Sequence, residues 1–216
     1  MTTPISPKLL KGGLVLLDPD SGRLLRTIPL QYNPDSLNRS FQVQAVEGSE
    51  SGGRSQPLRL KGPPVETIKL DAEIDATDAL ATGDAGAAAI GVQAHLAALE
   101  TLVYPDSARL VETDRLLGQG VMEVAPIESP LTLFVWSRDR VLPVRVTELS
   151  VTEEAFDANL NPIRAKVSLG LRVLSTSDVG FSHRGGTLFL AHLRLKEAWA
   201  RRQPGGLAAL GLEGVP

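Results

Sequence analysis

The residues from Leu142 to Leu174 constrain this chain most. They read as two long strands joined by the turn Ala158-Asn159-Leu160-Asn161-Pro162. Asn, Asp and Pro hold such turns through side-chain bonds and a fixed φ. The second strand alternates: Ala165, Val167, Leu169, Leu171 and Val173 share one face, and Arg164, Lys166, Ser168 and Arg172 share the other. A period of two with one apolar face is the mark of a half-buried strand. In the first strand Val144 and Val146 share a phase, while Leu149 and Val151 lie in the opposite one. A β-bulge near Thr147-Glu148 reconciles the two phases. The result is a long antiparallel hairpin with a charged outer face, a wall rather than a catalytic loop.

The rest of the chain fits around that wall. Gly13 to Asp18 and Leu24 to Tyr32 read as a hairpin across Asp18-Pro19-Asp20-Ser21-Gly22, with Pro29 marking an edge or a bulge. Leu37 to Val46 begins a further strand, and Glu66 to Ile74 another. In the latter, Ile68, Leu70, Ala72 and Ile74 face inward, and Thr67, Lys69, Asp71 and Glu73 face outward. Pro126 to Trp136 holds a strand apolar on both faces, which requires cover on both sides. Two long loops are expected, Glu47 to Lys61 and Asp75 to Gly86, the first ordered by a partner or not at all. Ala87 to Leu102 reads as a helix stopped by Pro105. Gly185 to Arg202 reads as another, with Leu188, Leu195 and Trp199 as its apolar residues and a low-order tail after it.

Composition narrows the function. Of 216 residues, 43% are hydrophobic and only 4% aromatic, so a globular core must be aliphatic. A formal net charge of −3 argues against a nucleic-acid binder. The chain has no cysteine, which excludes disulfides and thiolate metal sites. The start, MTTPISPKLLKGG, does not read as a signal peptide, and no apolar run approaches the roughly 20 residues of a membrane span. The expectation is a cytoplasmic protein without membrane insertion.

No catalytic or cofactor-binding spacing stands out. His95, His183 and His192 have no metal-ligand spacing and read as surface or cap histidines. Asp75-Ala76-Thr77-Asp78 lacks the remaining ligands of a calcium loop. Gly83-Asp84-Ala85-Gly86 and Gly118-Gln119-Gly120 are not phosphate loops, and no serine sits in a nucleophile elbow. Asp71 and Glu73 on a strand face suit a solvated or intersubunit surface better than acid–base work. The face of Arg164, Lys166 and Arg172 admits two readings: a solvated sheet face, or pairing with an acidic neighbour in a stacked ring. Expected cofactors and metals are none.

The hairpin, read with LQYNPDSLNRSF (Leu30 to Phe41), PPVETIKLDAEIDATDAL (Pro63 to Leu80), HLAALETLVYP (His95 to Pro105) and PLTLFVW (Pro130 to Trp136), resembles the tube proteins of contractile injection systems, the phage-tail-like particles. The ordered set spans about Gly13 to Leu174. The resemblance implies a mainly β fold with flanking helices (α+β), a tail-tube-like two-sheet sandwich or partly closed β-barrel. It divides into residues 1–180, a tube-like β domain with one inserted helix, and 181–216, a C-terminal helix and tail. It further implies a hexameric ring in contact with inner-tube, spike and baseplate proteins, initiating or adapting the tube at the baseplate hub. The alternatives are the repeating tube subunit, or a soluble ligand-binding β-barrel. Under this resemblance the interface residues are Asp71, Glu73, Arg164, Lys166, Arg172, Gly52, Gly53 and Arg54. Family members often continue into a LysM-type module, and only fourteen residues follow Arg202 here, so a wall-binding role is not expected.

Overall fold

The computed structural model describes residues 10–45, 59–120, 129–203 and 205–214. The strands are β1 (Gly13–Leu17), β2 (Leu24–Pro29), β3 (Asn38–Gln42), β4 (Val65–Asp75), β5 (Leu131–Ser137), β6 (Arg140–Phe156) and β7 (Pro162–Val173). They form one antiparallel sheet in the order β2-β1-β5-β6-β7-β4-β3. The fold is therefore mainly β with flanking helices, as the resemblance implies. The finer expectation of two packed sheets or a partly closed barrel is replaced by one open sheet. β1 pairs with β2 on one side and with β5 on the other, which joins the N-terminal hairpin directly to the long hairpin.

The helices are α1 (Thr77–Ala81), α2 (Ala85–Ile90), α3 (Gln93–Glu100), α4 (Ser107–Gly118), α5 (Thr176–Val179) and α6 (Arg184–Ala200), with a short 3-10 turn at Leu207–Leu210. The expected loop from Asp75 to Gly86 is thus partly helical. The helix expected over Ala87 to Leu102 is split at Gly91, whose φ of +57° suits glycine alone. A side chain there would also meet the Pro162 carbonyl. α4 was not foreseen, and none of its residues is buried.

One aliphatic core joins these parts. Leu14, Ile28 and Leu30 from the N-terminal hairpin meet Ile68, Leu70 and Ile74 of β4 and Val167, Leu169 and Leu171 of β7. Val92, Leu96 and Leu99 cover them from α3, and Phe189 from α6. The inward phases of β4 and β7 are those read from the sequence, all buried. Leu131 to Phe134 are buried on both faces of β5, as its apolar run requires. Pro29 closes β2, an edge strand, where its missing N–H leaves no gap in the ladder.

α6 does not bury Leu195 or Trp199, which are exposed. It buries Gly185, Gly186, Phe189 and His192. The face is set by contact with β6 and α5 rather than by the richest apolar stripe.

Candidate functional site

The long hairpin carries the features that could act. Its register shifts between Val146 and Glu148, with Leu149 facing Leu169 and Val146 facing Leu171. The bulge expected near Thr147-Glu148 is present, and Gly170 makes it possible. A Cβ at Gly170 would sit 2.9 Å from the Cβ of Glu148 and 3.3 Å from the Thr147 hydroxyl. The bulge returns Leu149 and Val151 to the inward phase while β6 continues to Phe156.

The hairpin outruns its neighbours. β5 pairs with β6 only from Arg140 to Val144, and β3 pairs with β4 only from Val65 to Lys69. Beyond these limits, among the described residues, β6, β7 and β4 form a three-stranded extension with a strand edge on each side that no strand covers; on β4 the Gln31 side chain caps the end of that edge, donating to the Asp75 carbonyl and accepting from its N–H. Leu149 and Val151, inward in phase, remain only half-buried at the β6 edge. Unpaired edges with incompletely covered apolar residues are the groups that add strands from another chain.

The outer face of this extension is charged. Arg164 donates to Asp75 at 2.8 Å, Lys166 to Glu154 at 2.9 Å, and Ser168 to Asp71. Lys69 and Glu148 pair at 3.3 Å. Glu73 lies opposite Lys166 in the β4–β7 register. The structure therefore brings Asp71, Glu73, Arg164 and Lys166 onto one surface. Arg172 lies further along and donates to Asp178 at 2.6 Å. Gly52, Gly53 and Arg54 lie outside the described residues. Hydrogen bonds from Thr77, then the Arg164 guanidinium, hold the Asp75 carboxyl below its ordinary range. The bond to Glu154 raises the Lys166 ammonium, and the bond to Asp75 raises Arg164. Cross-strand pairs of this kind, half in water, contribute little each.

At the hairpin tip the Asp157 carboxylate accepts from the backbone N–H groups of Asn159 and Asn161 and from the Asn161 side chain. These bonds hold its carboxyl below the usual value, the Asn161 side chain first. Asn161 also donates to the Ala89 carbonyl, and the Val92 N–H to that of Pro162, so α2 and α3 brace the turn. Leu160 is left at φ +64° and 79% exposed.

A second charged group escaped the sequence reading. Glu66 shares the inward phase of Ile68 and is buried. One carboxylate oxygen accepts from Arg39 at 2.8 and 2.6 Å, the other from Lys196 of α6 at 3.0 Å. Both cations stack on the Phe41 ring. The available signal was the parity of Glu66 with Ile68, Leu70 and Ala72. His192 was expected at the surface and is buried beside this group, its Nδ1 facing the Asp139 carbonyl. Burial, then the nearby Lys196, lowers its pKa from 6.5. His183 caps α6, accepting from the Gly185 N–H, as a cap histidine does. Among the described residues no cluster of acids and histidines could hold a metal ion. No helix among them is long and apolar enough to cross a membrane.

The chain is similar to the tail of an empty gene transfer agent (GTA) particle, refined helically with C6 symmetry: 14% identity, 76% of this chain, 90% of that chain, TM-score 0.28. It is also similar to a chain of the native GTA virion at 15% identity, covering 75% and 90%, TM-score 0.26. No curated protein matches. The model of the contractile injection system tube protein matches residues 17–178. That match takes in every strand from β2 to β7 together with the bulge, the open edges and the charged face, and the chain belongs to the contractile injection system tube protein family.

Proposed function

We propose that this chain is a structural, non-catalytic subunit that closes into a ring by strand addition and serves at the baseplate hub, where it initiates or adapts the inner tube. The observation that carries the ring is the β6–β7–β4 extension, whose edges no strand covers along β6 beyond Val144 and along β4 from Leu70 to Ile74, before the Gln31 cap on Asp75. The two edges belong to different strands, so joining them is a heterologous contact, and such contacts close into rings when the rotation allows. Ring closure also removes the exposed edges. Sixfold closure rests on the family resemblance alone. The hub position rests on the two long segments Glu47 to Lys61 and Asp75 to Gly86, which resemble those of an adaptor more than of a compact tube subunit.

The mechanism is mechanical. The apolar face of the extension packs on α3 and the core, and the charged face stays accessible to water and to a neighbouring subunit. Cations on that face are already paired within the chain, so it offers a hydrated wall with no strong excess of either sign. The proposed interface residues are Asp71, Glu73, Arg164, Lys166 and Arg172 with Gly52, Gly53 and Arg54. The assembled particle is proposed to form in the cytoplasm.

Deletion with complementation tests the hub role. Spike and sheath proteins should be expressed without this chain, while tubes are absent or of uncontrolled length. Supplying the chain in trans restores full particles. Full-length particles formed without it contradict the hub role.

A further inference from the structure

Resting on the ring reading but not on the hub position, and taking the chain in its other role as the repeating inner-tube subunit, we infer that Leu160 is a stacking knob, which seats in an apolar cleft of the same chain in the adjoining ring. Three observations carry this. First, the knob is built under strain. A leucine at φ +64° costs on the order of 1–2 kcal/mol, and asparagine or glycine would fit the turn better. The Asp157 and Asn161 bonds hold it there, with the side chain in water. Local strain that the surroundings enforce marks positions with a task.

Second, the chain has a fitting receptor at the other end of the same strands. A cleft of about 180 Å³ is lined by Leu102, Pro130, Leu131, Val146, Leu174 and Val179, among others. From the tip pair Phe156–Pro162 to the pair Val144–Val173 the hairpin runs roughly 36 Å at about 3.3 Å per residue. Knob and cleft therefore lie at opposite ends of the hairpin. A contact between them joins copies head to tail along the strands, which gives an open stack rather than a closed pair.

Third, the charges complement. Arg145 at the cleft lies directly opposite Arg172 in the register, and Arg172 is the one held by Asp178. Arg145 has no ion pair among the described residues, and like charges facing across strands are unfavourable. On the tip half of the hairpin, about 10 Å along the strand from the Phe156–Pro162 pair, Glu153 is exposed and also without an ion pair among the described residues. An acidic tip entering a basic cleft satisfies both.

The absence of cysteine makes the test direct. Leu160→Cys with Val179→Cys, oxidised after assembly, should give a ladder of linear multimers on a non-reducing gel. Leu160→Cys alone should give at most dimers. A disulfide within one chain is out of reach, because the Cα atoms must come within about 7 Å. Leu160→Asp keeps a residue that tolerates positive φ, so the turn survives. In that variant, rings should persist while the fraction larger than one ring falls at least tenfold. A missing ladder under conditions where wild-type rings stack overturns the knob, as does stacking by Leu160→Asp at wild-type level. Absence of rings from the wild-type chain overturns the ring reading instead.

Discussion

Replacing Glu66 by glutamine tests how α6 is held to the sheet. The Glu66 side chain is 4% exposed, while Arg39 and Lys196 are 23% and 31% exposed. Breaking a fully buried ion pair costs about 3–5 kcal/mol, because the remaining charge is stranded. Here the stranded cations are a quarter to a third open to water and can rehydrate in part. The expected loss is then about 2–3 kcal/mol. For a chain of this size each kcal/mol lowers Tm by about 2–4 °C, so circular dichroism should show a fall of about 4–12 °C. Hydrogen exchange should rise first in α6, since Lys196 is its tie to β4. The control is Glu148→Gln, whose pair with Lys69 has both side chains more than 60% exposed. It should move Tm by less than about 2 °C. Equal losses from the two substitutions, or none from Glu66→Gln, refute the argument from burial.

Three further outcomes follow from the geometry. Gly170→Val should cost about 1–3 kcal/mol by denaturant unfolding, since a Cβ there presses on Glu148 and Thr147, and an unchanged midpoint contradicts the bulge. His192 is held neutral by burial, with Lys196, Arg39 and Glu66 around it. The unfolded chain therefore binds its proton more readily, and stability present above about pH 6.5 is lost as pH falls through the lower folded value. His192→Gln should flatten that part of the Tm–pH curve, and an unaltered slope assigns the loss elsewhere. Leu160→Asn should raise the unfolding free energy by about 1 kcal/mol through relief of the positive φ while impairing stacking, and a drop in stability refutes the strain.

The hairpin was legible because its signals are local. Alternation from Ala165 to Val173 fixes the faces of β7, and the phase change between Val146 and Leu149 announces the bulge. The single sheet was not legible, because it depends on β1 pairing with β5 across most of the chain. An alternating strand fits a sandwich, a barrel or an open sheet equally well. α4 was missed because its charges surround it and its Leu110, Val111 and Leu117 stay exposed. Among the interface residues, strand parity placed Asp71, Glu73, Arg164 and Lys166 on one face. It could not show that Asp75 completes the pairing of Arg164, since that contact crosses between strands distant in sequence, or that Glu154 takes Lys166, since that depends on the register of the hairpin beyond the bulge. The buried face of α6 was misjudged for the same kind of reason. Leu195 and Trp199 look apolar in isolation, yet Glu66 and β6 select Phe189, His192 and Lys196.

The central claim is that the open edges of β6 and β4 join copies of this chain into a ring. Mass photometry of the purified chain over rising concentration tests it most directly. A sixfold ring of 23.0 kDa chains predicts a discrete species of about 138 kDa. That species should disappear when Val151→Pro removes an N–H from the open edge of β6, Val151 lying opposite Val167 at a position whose N–H faces away from β7. A chain that stays at 23.0 kDa at every concentration, or a ring that survives Val151→Pro unchanged, contradicts it.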